Sequence, residues 1–259
     1  MTRPRWITAT DAPDAFPPLN DALSEPDGLL AIGGDLSPQR LLAAYARGIF
    51  PWYESGQPIL WWSPNPRLVL FPEKLHISRS LSKVLRKGQL KVTADTAFNR
   101  VIHACGASRE HAEGTWITTA MKTAYAELFT LGYAHSIEVW NEGELVGGLY
   151  GIALGKVFFG ESMFSLQTNA SKVAFVHIVK QLEQWSYNMI DCQVSSQHLF
   201  NFGAEEISRS HFQNLLLNCS YKEAENCQLL DGSNKNASNC GQTRETSSPW
   251  KLTWRFKDE

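Results

Sequence analysis

Apolar residues recur along this chain with spacings that predict helices and strands. Leu81, Val84 and Leu85 follow an i, i+3, i+4 pattern between a capping Ser78 and a helix-stopping Gly88, which predicts a helix. Alternating or continuous apolar runs predict strands. In chain order the predicted elements are a helix at 38–47, a strand at 68–71, the helix at 79–87, a strand at 91–93, a helix at 119–131, strands at 136–140, 144–153 and 157–164, a helix at 170–187, strands at 189–194 and 205–208, and a helix at 210–218. The other predicted N-caps are Ser37, Thr118 and Asn169.

This order of elements predicts an α+β fold. A strand, a hairpin, a further strand and a long helix before the next strand are typical of a mostly antiparallel sheet with helices packed on it. Pro64 and Pro66 suit a rigid crossing between two domains. We therefore expect a small N-terminal domain over 1–66 and a larger domain over 67–218.

The C-terminal segment 219–259 differs from the rest of the chain in composition. Residues 219–248 are rich in Asn, Ser, Gln and Glu, so we expect them to be poorly ordered. The apolar and aromatic residues at 249–254 are expected to dock back onto the protein as a last strand.

Composition places the chain among ordinary globular proteins. Of its 259 residues, 43% are hydrophobic and 19% are charged, which is enough to bury one large core or two modest ones. No apolar run approaches the roughly 18 residues of a membrane helix, and no signal peptide is visible. The five cysteines are odd in number and lack C-x-x-C spacing, so a disulfide scaffold and a four-cysteine zinc site are both disfavoured. A reducing cytoplasm fits best.

The near-neutral net charge of −2 hides one strongly basic segment. Residues 67–91 carry a net charge of +6, from seven basic residues and one acidic residue. Arg79, Lys83 and Lys87 are four residues apart on the predicted helix, and Arg86 lies beside them. Like charges at this spacing destabilise an isolated helix, and a polyanion would remove that cost. The pattern is therefore compatible with phosphate binding and, equally, with an ordinary solvated face.

Two carboxylates interrupt strands that should be buried. Glu161 lies within the apolar run 159–164, and Asp191 lies within 189–194. Gln193 follows Asp191 by two positions, so strand alternation places both on one face. A buried carboxylate costs several kcal/mol unless it is paired. For either acid alone a structural network is an alternative, but two acids and an amide on neighbouring elements favour a catalytic or cation-binding cluster.

Several chemistries are disfavoured by the spacing of the residues that they would need. The sequence around Ser162 lacks the second glycine of a G-x-S-x-G elbow, which disfavours a serine hydrolase. The His and Cys residues have no standard metal-ligand spacing, so no metal is expected. No glycine-rich phosphate loop is present, so the sequence shows no evident binding site for ATP or coenzyme A, and no cofactor is predicted. A basic helix and nine tryptophans remain, which suit an enzyme whose substrate arrives already activated on a nucleic acid.

Eight short motifs, in order and in register, carry a family resemblance. Over about residues 16–218 the chain resembles the leucyl/phenylalanyl-tRNA–protein transferases. The motifs are Phe16-Pro17-Pro18, the glycine-containing stretches at 28–37 and 48–52, Trp61-Trp62-Ser63-Pro64, the stretch at 114–118, the stretch at 147–151, the stretch at 160–165 and Ile190-Asp191-Cys192-Gln193.

The resemblance implies a fold and a reaction. The expected fold is a small N-terminal α/β domain followed by an acetyltransferase-like (GNAT-like) domain. The expected reaction moves Leu or Phe, and less well Met, from aminoacyl-tRNA to the N-terminal Arg or Lys of a protein. The product would be marked for degradation by the bacterial N-end rule pathway. A cytoplasmic monomer without metal or cofactor is expected.

The resemblance also assigns roles to residues. Asp191 would be the base or its orienter, and Gln193 would help to bind the acceptor amine. Glu161 would hold the cationic side chain of the acceptor or fix the network around Asp191. The residues expected to bind the aminoacyl end of the tRNA are Trp52, Trp116, Leu149 and Ser162, and those expected to bind its phosphates are Arg79, Lys83, Arg86 and Lys87. The family commonly has Met in place of Leu149, a swap that conserves volume.

Three alternatives remain at this level. A relative with the same fold could acylate another amine, such as an amino sugar or a lipid. A non-catalytic RNA-binding protein would keep the basic helix without needing the acid pair. Acetylation from coenzyme A is disfavoured because the glycine loop is absent.

Overall fold

A small sheet forms the N-terminal part of the protein. The computed structural model describes residues 3–110, 116–224 and 249–256, the side chains of 108–110 and 219–224 excepted. The elements of this part are β1 (Arg5–Ile7), β2 (Leu29–Gly33), α1 (Pro38–Ala46), β3 (Phe50–Pro51) and β4 (Leu60–Trp62). The small sheet has the order β1-β2-β4-β3, with β1 and β2 parallel and the other neighbours antiparallel. Apart from the helix, sequence analysis missed these elements, because strands of two to five residues carry too little periodicity.

A seven-stranded sheet dominates the rest of the described chain. Its strands are β5 (Arg67–Leu70), β6 (Lys91–Ala94), β7 (Ala134–Asn141), β8 (Glu144–Leu154), β9 (Val157–Ser165), β10 (Met189–Gln193) and β11 (Glu205–Ile207). Their order in the sheet is β11-β5-β10-β9-β8-β7-β6. Every neighbouring pair is antiparallel except β9 and β10, which run parallel because a long helix connects them. The α+β class with a mostly antiparallel sheet is confirmed.

The remaining helices cover both faces of this sheet. They are α2 (Arg79–Lys87), α3 (Phe98–Glu110), α4 (Thr119–Thr130), α5 (Ala170–Gln184), α6 (Gln197–Phe200) and α7 (Arg209–Ala224). One apolar core lies under α1, α3 and α4, and another lies under α2 and α5. Consecutive residues Leu149 and Tyr150 belong to different cores, as strand alternation requires. No helix in the described ranges combines the length and the apolarity needed to cross a bilayer.

All four predicted N-cap positions are confirmed, but only two of these residues make a side-chain capping bond. The Ser78 and Thr118 hydroxyls accept hydrogen bonds from the N–H groups of Leu81 and Met121, and Gly88 ends α2 in the left-handed region (φ +60°). The side chains of Ser37 and Asn169 make no capping bond. The Ser37 N–H instead donates to Asp35, and Asn169 has a left-handed backbone (φ +69°) that turns the chain into α5.

Three further predictions need correction. Sequence analysis missed α3, although its buried Phe98, Val101, Ile102 and Cys105 have helical spacing. Helix α7 continues to residue 224, into the segment predicted to be poorly ordered; residues 225–248, like Gly114 and Thr115 of one motif, lie outside the described residues. Residues 249–256 dock back as predicted, but not as a strand, because side chains rather than a sheet edge receive their backbone N–H groups. The division into domains at residue 66 stays a prediction.

Candidate active site

A cavity of about 260 Å³ opens where the parallel strands β9 and β10 meet the N-terminal part of the protein. Every residue that sequence analysis proposed for catalysis or for binding the aminoacyl end lines this cavity: Trp52, Trp116, Leu149, Glu161, Ser162, Asp191 and Gln193. The tertiary structure therefore brings together residues that lie up to about 140 positions apart in the chain.

The Glu161 carboxylate lies at the polar end of the cavity and is held by three donors. The Tyr45 hydroxyl donates to Oε1 at 2.8 Å, and the Tyr125 hydroxyl donates to Oε2 at 2.8 Å. The side-chain amide of Gln193 donates to Oε1 at 2.9 Å. The two tyrosines come from α1 and α4, and their hydroxyl oxygens are in close contact, while each hydroxyl donates its one proton to Glu161. Helices α1 and α4 and strand β10 thus each supply one hydrogen-bond donor to the same carboxylate.

The environment of Glu161 places its proton exchange near neutral pH. Burial raises the pKa of the Glu161 carboxyl to about 7, and the neighbouring negative charge of Asp191 adds to the rise. The three hydrogen-bond donors act in the opposite direction but do not outweigh burial. Burial and the negative charge of Glu161 raise the pKa of both Tyr45 and Tyr125 well above the usual value, so these tyrosines stay protonated donors.

Asp191 is fully buried, and both of its oxygens are occupied. Arg67 donates from Nε to Oδ1 at 2.8 Å and from Nη2 to Oδ2 at 2.6 Å, which is a bidentate ion pair. The Arg67 guanidinium also packs on two aromatic rings. Its central carbon lies 4.7 Å from the ring centroid of Phe50 and 4.6 Å from that of Phe212. Oδ1 also accepts the backbone N–H of Gln193 at 2.9 Å. Both oxygens of this carboxylate are thus bound within the protein, where they orient Arg67 and the Gln193 backbone.

Gln193 reaches the site through an irregular backbone. The pairing of β10 with β5 shifts between Asp191 and Gln193, and Gln193 has a left-handed conformation (φ +65°). Such a conformation costs a side-chain-bearing residue about 1–2 kcal/mol. The strand alternation that we used to place Asp191 and Gln193 on one face is therefore irregular at this point, and both residues line the cavity. The Asp191 carboxylate stabilises the bulge by accepting the Gln193 N–H.

The rest of the cavity is mostly apolar. Its wall residues include Leu149, Phe158, Met163, Phe175, Ile178 and Ile190. The buried hydroxyl of Ser162 has no hydrogen-bond partner among the described residues, so it is available to a bound molecule. Trp52 is 42% exposed, and its ring lies 6.0 Å from that of Trp62. An apolar chamber with a polar end suits a ligand that has both an apolar side chain and a reacting polar group.

Both parts of the chain match models of one family. Residues 69–217 match the model described as leucyl/phenylalanyl-tRNA protein transferase, and residues 34–65 match the model of its N-terminal domain.

The chain belongs to the leucyl/phenylalanyl-tRNA–protein transferase family.

Individual relatives agree with this assignment. The chain is 57% identical to the leucyl/phenylalanyl-tRNA–protein transferase of Stutzerimonas stutzeri over 211 residues, which cover 82% of this chain and 92% of the relative. It is 59% identical to that of Cellvibrio japonicus over 202 residues, or 78% and 86% of the two chains. A GCN5-related N-acetyltransferase structure from Kribbella flavida is similar with a TM-score of 0.32 and 10% identity, over 66% of this chain and 61% of the other.

Three residues that organise the site of this family member were not predicted from the sequence. Arg67 was counted only as part of the basic segment, although its position in a fully buried strand signals a partner inside the protein. Tyr45 and Tyr125 are aromatic residues on amphipathic helices, a pattern that indicates core packing and gives no sign of the Glu161 contact. Buried acids are not all catalytic: Glu138 of β7 is also fully buried, but Thr93, Thr96 and Ser136 satisfy it away from the cavity.

The structure divides the basic segment of this chain into two parts. Arg67 is buried with Asp191, and Lys74 forms an exposed ion pair with Glu205 at 2.7 Å. The four proposed phosphate-binding residues, Arg79, Lys83, Arg86 and Lys87, are exposed on α2 and lie outside the cavity lining. Across the described ranges no carboxylate forms an ion pair with Arg79, Lys83 or Lys87. In the same ranges no group of three His, Cys, Asp or Glu side chains could hold a metal ion.

Proposed function

We propose that this protein transfers Leu or Phe, and less well Met, from aminoacyl-tRNA to the N-terminal Arg or Lys of an acceptor protein. The observation that carries the proposal is the Glu161 carboxylate, held by Tyr45, Tyr125 and Gln193 at the polar end of an otherwise apolar cavity. Membership of the family supports the same activity. The modified protein would then enter the N-end rule pathway of degradation.

The reaction needs a neutral amine at the ester carbonyl. The α-amine of the acceptor forms a C–N bond to the carbonyl carbon, the C–O bond to the tRNA ribose breaks, and one amine proton leaves. An α-amine has a pKa near 7.7–8.0 and is mostly protonated at neutral pH. Glu161, with a pKa of about 7, is matched to accept that proton and pass it to the departing ribose oxygen. The ester is already activated, so no ATP or other cofactor is required.

Asp191 and Gln193 act with Glu161 in this scheme. The Gln193 amide donates to Glu161, which leaves its carbonyl oxygen to accept a hydrogen bond from the incoming amine. Asp191 keeps the Gln193 backbone in place and is balanced by Arg67. One net negative charge therefore remains when Glu161 is ionised, and it favours an acceptor that carries the cationic side chain of Arg or Lys.

The donor would occupy the rest of the cavity. The Leu or Phe side chain would pack against the apolar wall that includes Leu149, and the Ser162 hydroxyl would meet a polar group of the aminoacyl ester. The terminal base of the tRNA would stack on Trp52 and Trp116 at the same cavity. Phosphates farther along the tRNA would meet α2. Both substrates occur in the cytoplasm, and we propose a cytoplasmic monomer.

Transfer of labelled leucine tests the proposal. Leu-tRNA is offered with a peptide that begins with Arg and, separately, with a matched peptide that begins with Ala, without ATP. We expect label on the Arg peptide alone. Label on neither peptide, from a protein that binds tRNA, would overturn the proposed acceptor, and label that requires acetyl-coenzyme A or ATP would overturn the proposed donor.

Replacing any one of Arg79, Lys83, Arg86 and Lys87 with Gln should weaken the salt dependence of tRNA binding. Each residue that neutralises a phosphate contributes about one unit to the slope of log K against log salt concentration. We therefore expect the slope to fall by about one per substitution, measured between about 50 and about 200 mM salt. The control is Lys180→Gln, since Lys180 is paired with Glu183 on α5. Equal slopes in the α2 variants and the control would assign these residues to a solvated face.

A further inference from the structure

The last described segment of the chain, residues 249–256 (the C-terminal strap), lies against the core that packs under α5. Trp250 is its anchor and is only 3% exposed. The Trp250 backbone N–H donates to Asp95 Oδ2 at 2.6 Å, and its ring stacks flat on His135, with the centroids 3.8 Å apart and the planes 8° apart. The strap is therefore a packed part of the protein.

Trp250 supports one wall of the cavity from behind. Its ring centroid lies 5.8 Å from that of Phe158, at an interplanar angle of 40°, and Phe158 lines the cavity. On another side Phe158 is confined by β8, because a Cβ added to Gly151 would lie 2.5 Å from the Phe158 Cζ atom. The Trp250 indole also packs against Trp185 and Tyr187, whose ring centroids lie 5.0 and 6.3 Å away. Phe158 thus has a neighbour on each of these sides and little room to shift.

The strap also holds a second wall. The side-chain oxygen of Gln181, a fully buried residue of α5, accepts the backbone N–H groups of Thr253 at 2.5 Å and Trp254 at 2.9 Å. The Trp254 ring meets His177 edge to face at 4.8 Å. The same helix supplies Phe175 and Ile178 to the cavity. Two apolar walls, Phe158 and α5, are therefore fastened to one short segment.

We infer that Trp250 is a positioning residue that sets the width of the aminoacyl pocket and thereby its preference between Leu and Phe. This inference rests on the proposed function, because it takes the apolar end of the cavity as the donor's side-chain pocket. Protein interiors are packed about as densely as organic crystals, so a wall residue with a full second layer behind it cannot yield to a larger ligand. Removing part of that layer lets Phe158 move outward and admits the larger side chain.

The test is a comparison of two donors in the same protein. We measure kcat/KM for Leu-tRNA and for Phe-tRNA, with one Arg-starting peptide, in the wild type, Trp250→Phe and Gln181→Met. The ratio of the two values does not depend on the fraction of folded enzyme. We expect it to shift toward Phe-tRNA by about fivefold or more, as a change of one or two methylene groups in a pocket commonly produces. The shift should come from KM, because the pocket acts on donor binding.

The matched control is Phe16→Leu, which shortens a buried aromatic residue that packs on Trp61 away from the cavity. It should lower stability and leave the donor ratio unchanged. A donor ratio equal to the wild-type ratio in both Trp250→Phe and Gln181→Met would overturn the inference while leaving the proposed function intact. A wild-type protein that transfers neither amino acid would instead overturn the proposed function itself.

Discussion

Glu161→Gln should lower the rate of aminoacyl transfer by about two to four orders of magnitude, the usual contribution of a positioned general base. Gln has nearly the same shape and can still accept a hydrogen bond from Tyr45 or Tyr125, but it cannot take a proton from the acceptor amine. The measurement is single-turnover transfer of labelled leucine to an Arg-starting peptide. Affinity for tRNA should stay at the wild-type level.

The pH dependence gives the same prediction a second readout. The base form of Glu161 is the carboxylate, and the pKa of this group is about 7, so wild-type kcat/KM should rise with pH through about 7. Glu161→Gln should lack the rise near pH 7 and keep only the rise that comes from deprotonation of the acceptor α-amine near 7.7–8.0. The control is Glu138→Gln, which alters a buried glutamate outside the cavity and should keep the wild-type pH profile. A Glu161→Gln protein that retains both the wild-type transfer rate and the rise of kcat/KM near pH 7 would assign proton acceptance to another group.

Stability measurements show whether the Glu161→Gln protein is folded, and their sign is set by the raised pKa. Folding favours protonated Glu161, since its pKa rises from 4.5 to about 7 on burial. The stability that this protonation contributes is fully present below about 4.5 and is lost as the pH rises through about 7. Glu161→Gln should therefore gain stability relative to the wild type across this window, at up to about 1.4 kcal/mol per pH unit, in urea unfolding at several pH values.

Arg67→Met should be the most destabilising of the single substitutions considered. It leaves the Asp191 carboxylate, which has no exposed surface, without its counter-ion, and breaking one side of a buried ion pair typically costs about 3–5 kcal/mol. Asp191 would lose the contacts that hold it in place, and Gln193, whose backbone N–H it accepts, would shift with it. Transfer should therefore fall by about 100-fold, which is what a misplacement near 1 Å can cost. Urea unfolding and single-turnover transfer measure the two effects.

A double variant separates the charge from the geometry. Arg67→Met combined with Asp191→Asn removes both charges and keeps an oxygen that can accept the Gln193 N–H. We expect it to recover most of the lost stability without recovering transfer. The comparison variant Lys74→Met breaks the exposed pair with Glu205 and should cost less than about 1 kcal/mol. If Arg67→Met were no more destabilising than Lys74→Met, the buried pair would not have the structural role assigned to it.

Much of the fold and most of the site were accessible from local patterns. The long helix α5, the hairpin of β7 and β8 and the caps of α2 followed from periodicity and from residues with strong local preferences. Residues Glu161 and Asp191 were conspicuous because a carboxylate in an apolar strand is costly. Helix α3 also has helical periodicity in its apolar residues and was overlooked, whereas a strand as short as β3 has almost no periodicity to detect.

Local patterns along the chain are enough to give the class of fold, the family resemblance and the acids around which a site could form, because periodicity and the cost of burying charge act over a few neighbouring residues. What those acids contact depends on how the chain packs in three dimensions. Arg67 lies 124 positions from Asp191, and Tyr45 lies 116 positions from Glu161. Such pairs depend on how sheets and helices pack, and so do the raised pKa of Glu161 and the support that Trp250 gives to Phe158. Burial and distance between remote segments arise only when the chain is folded.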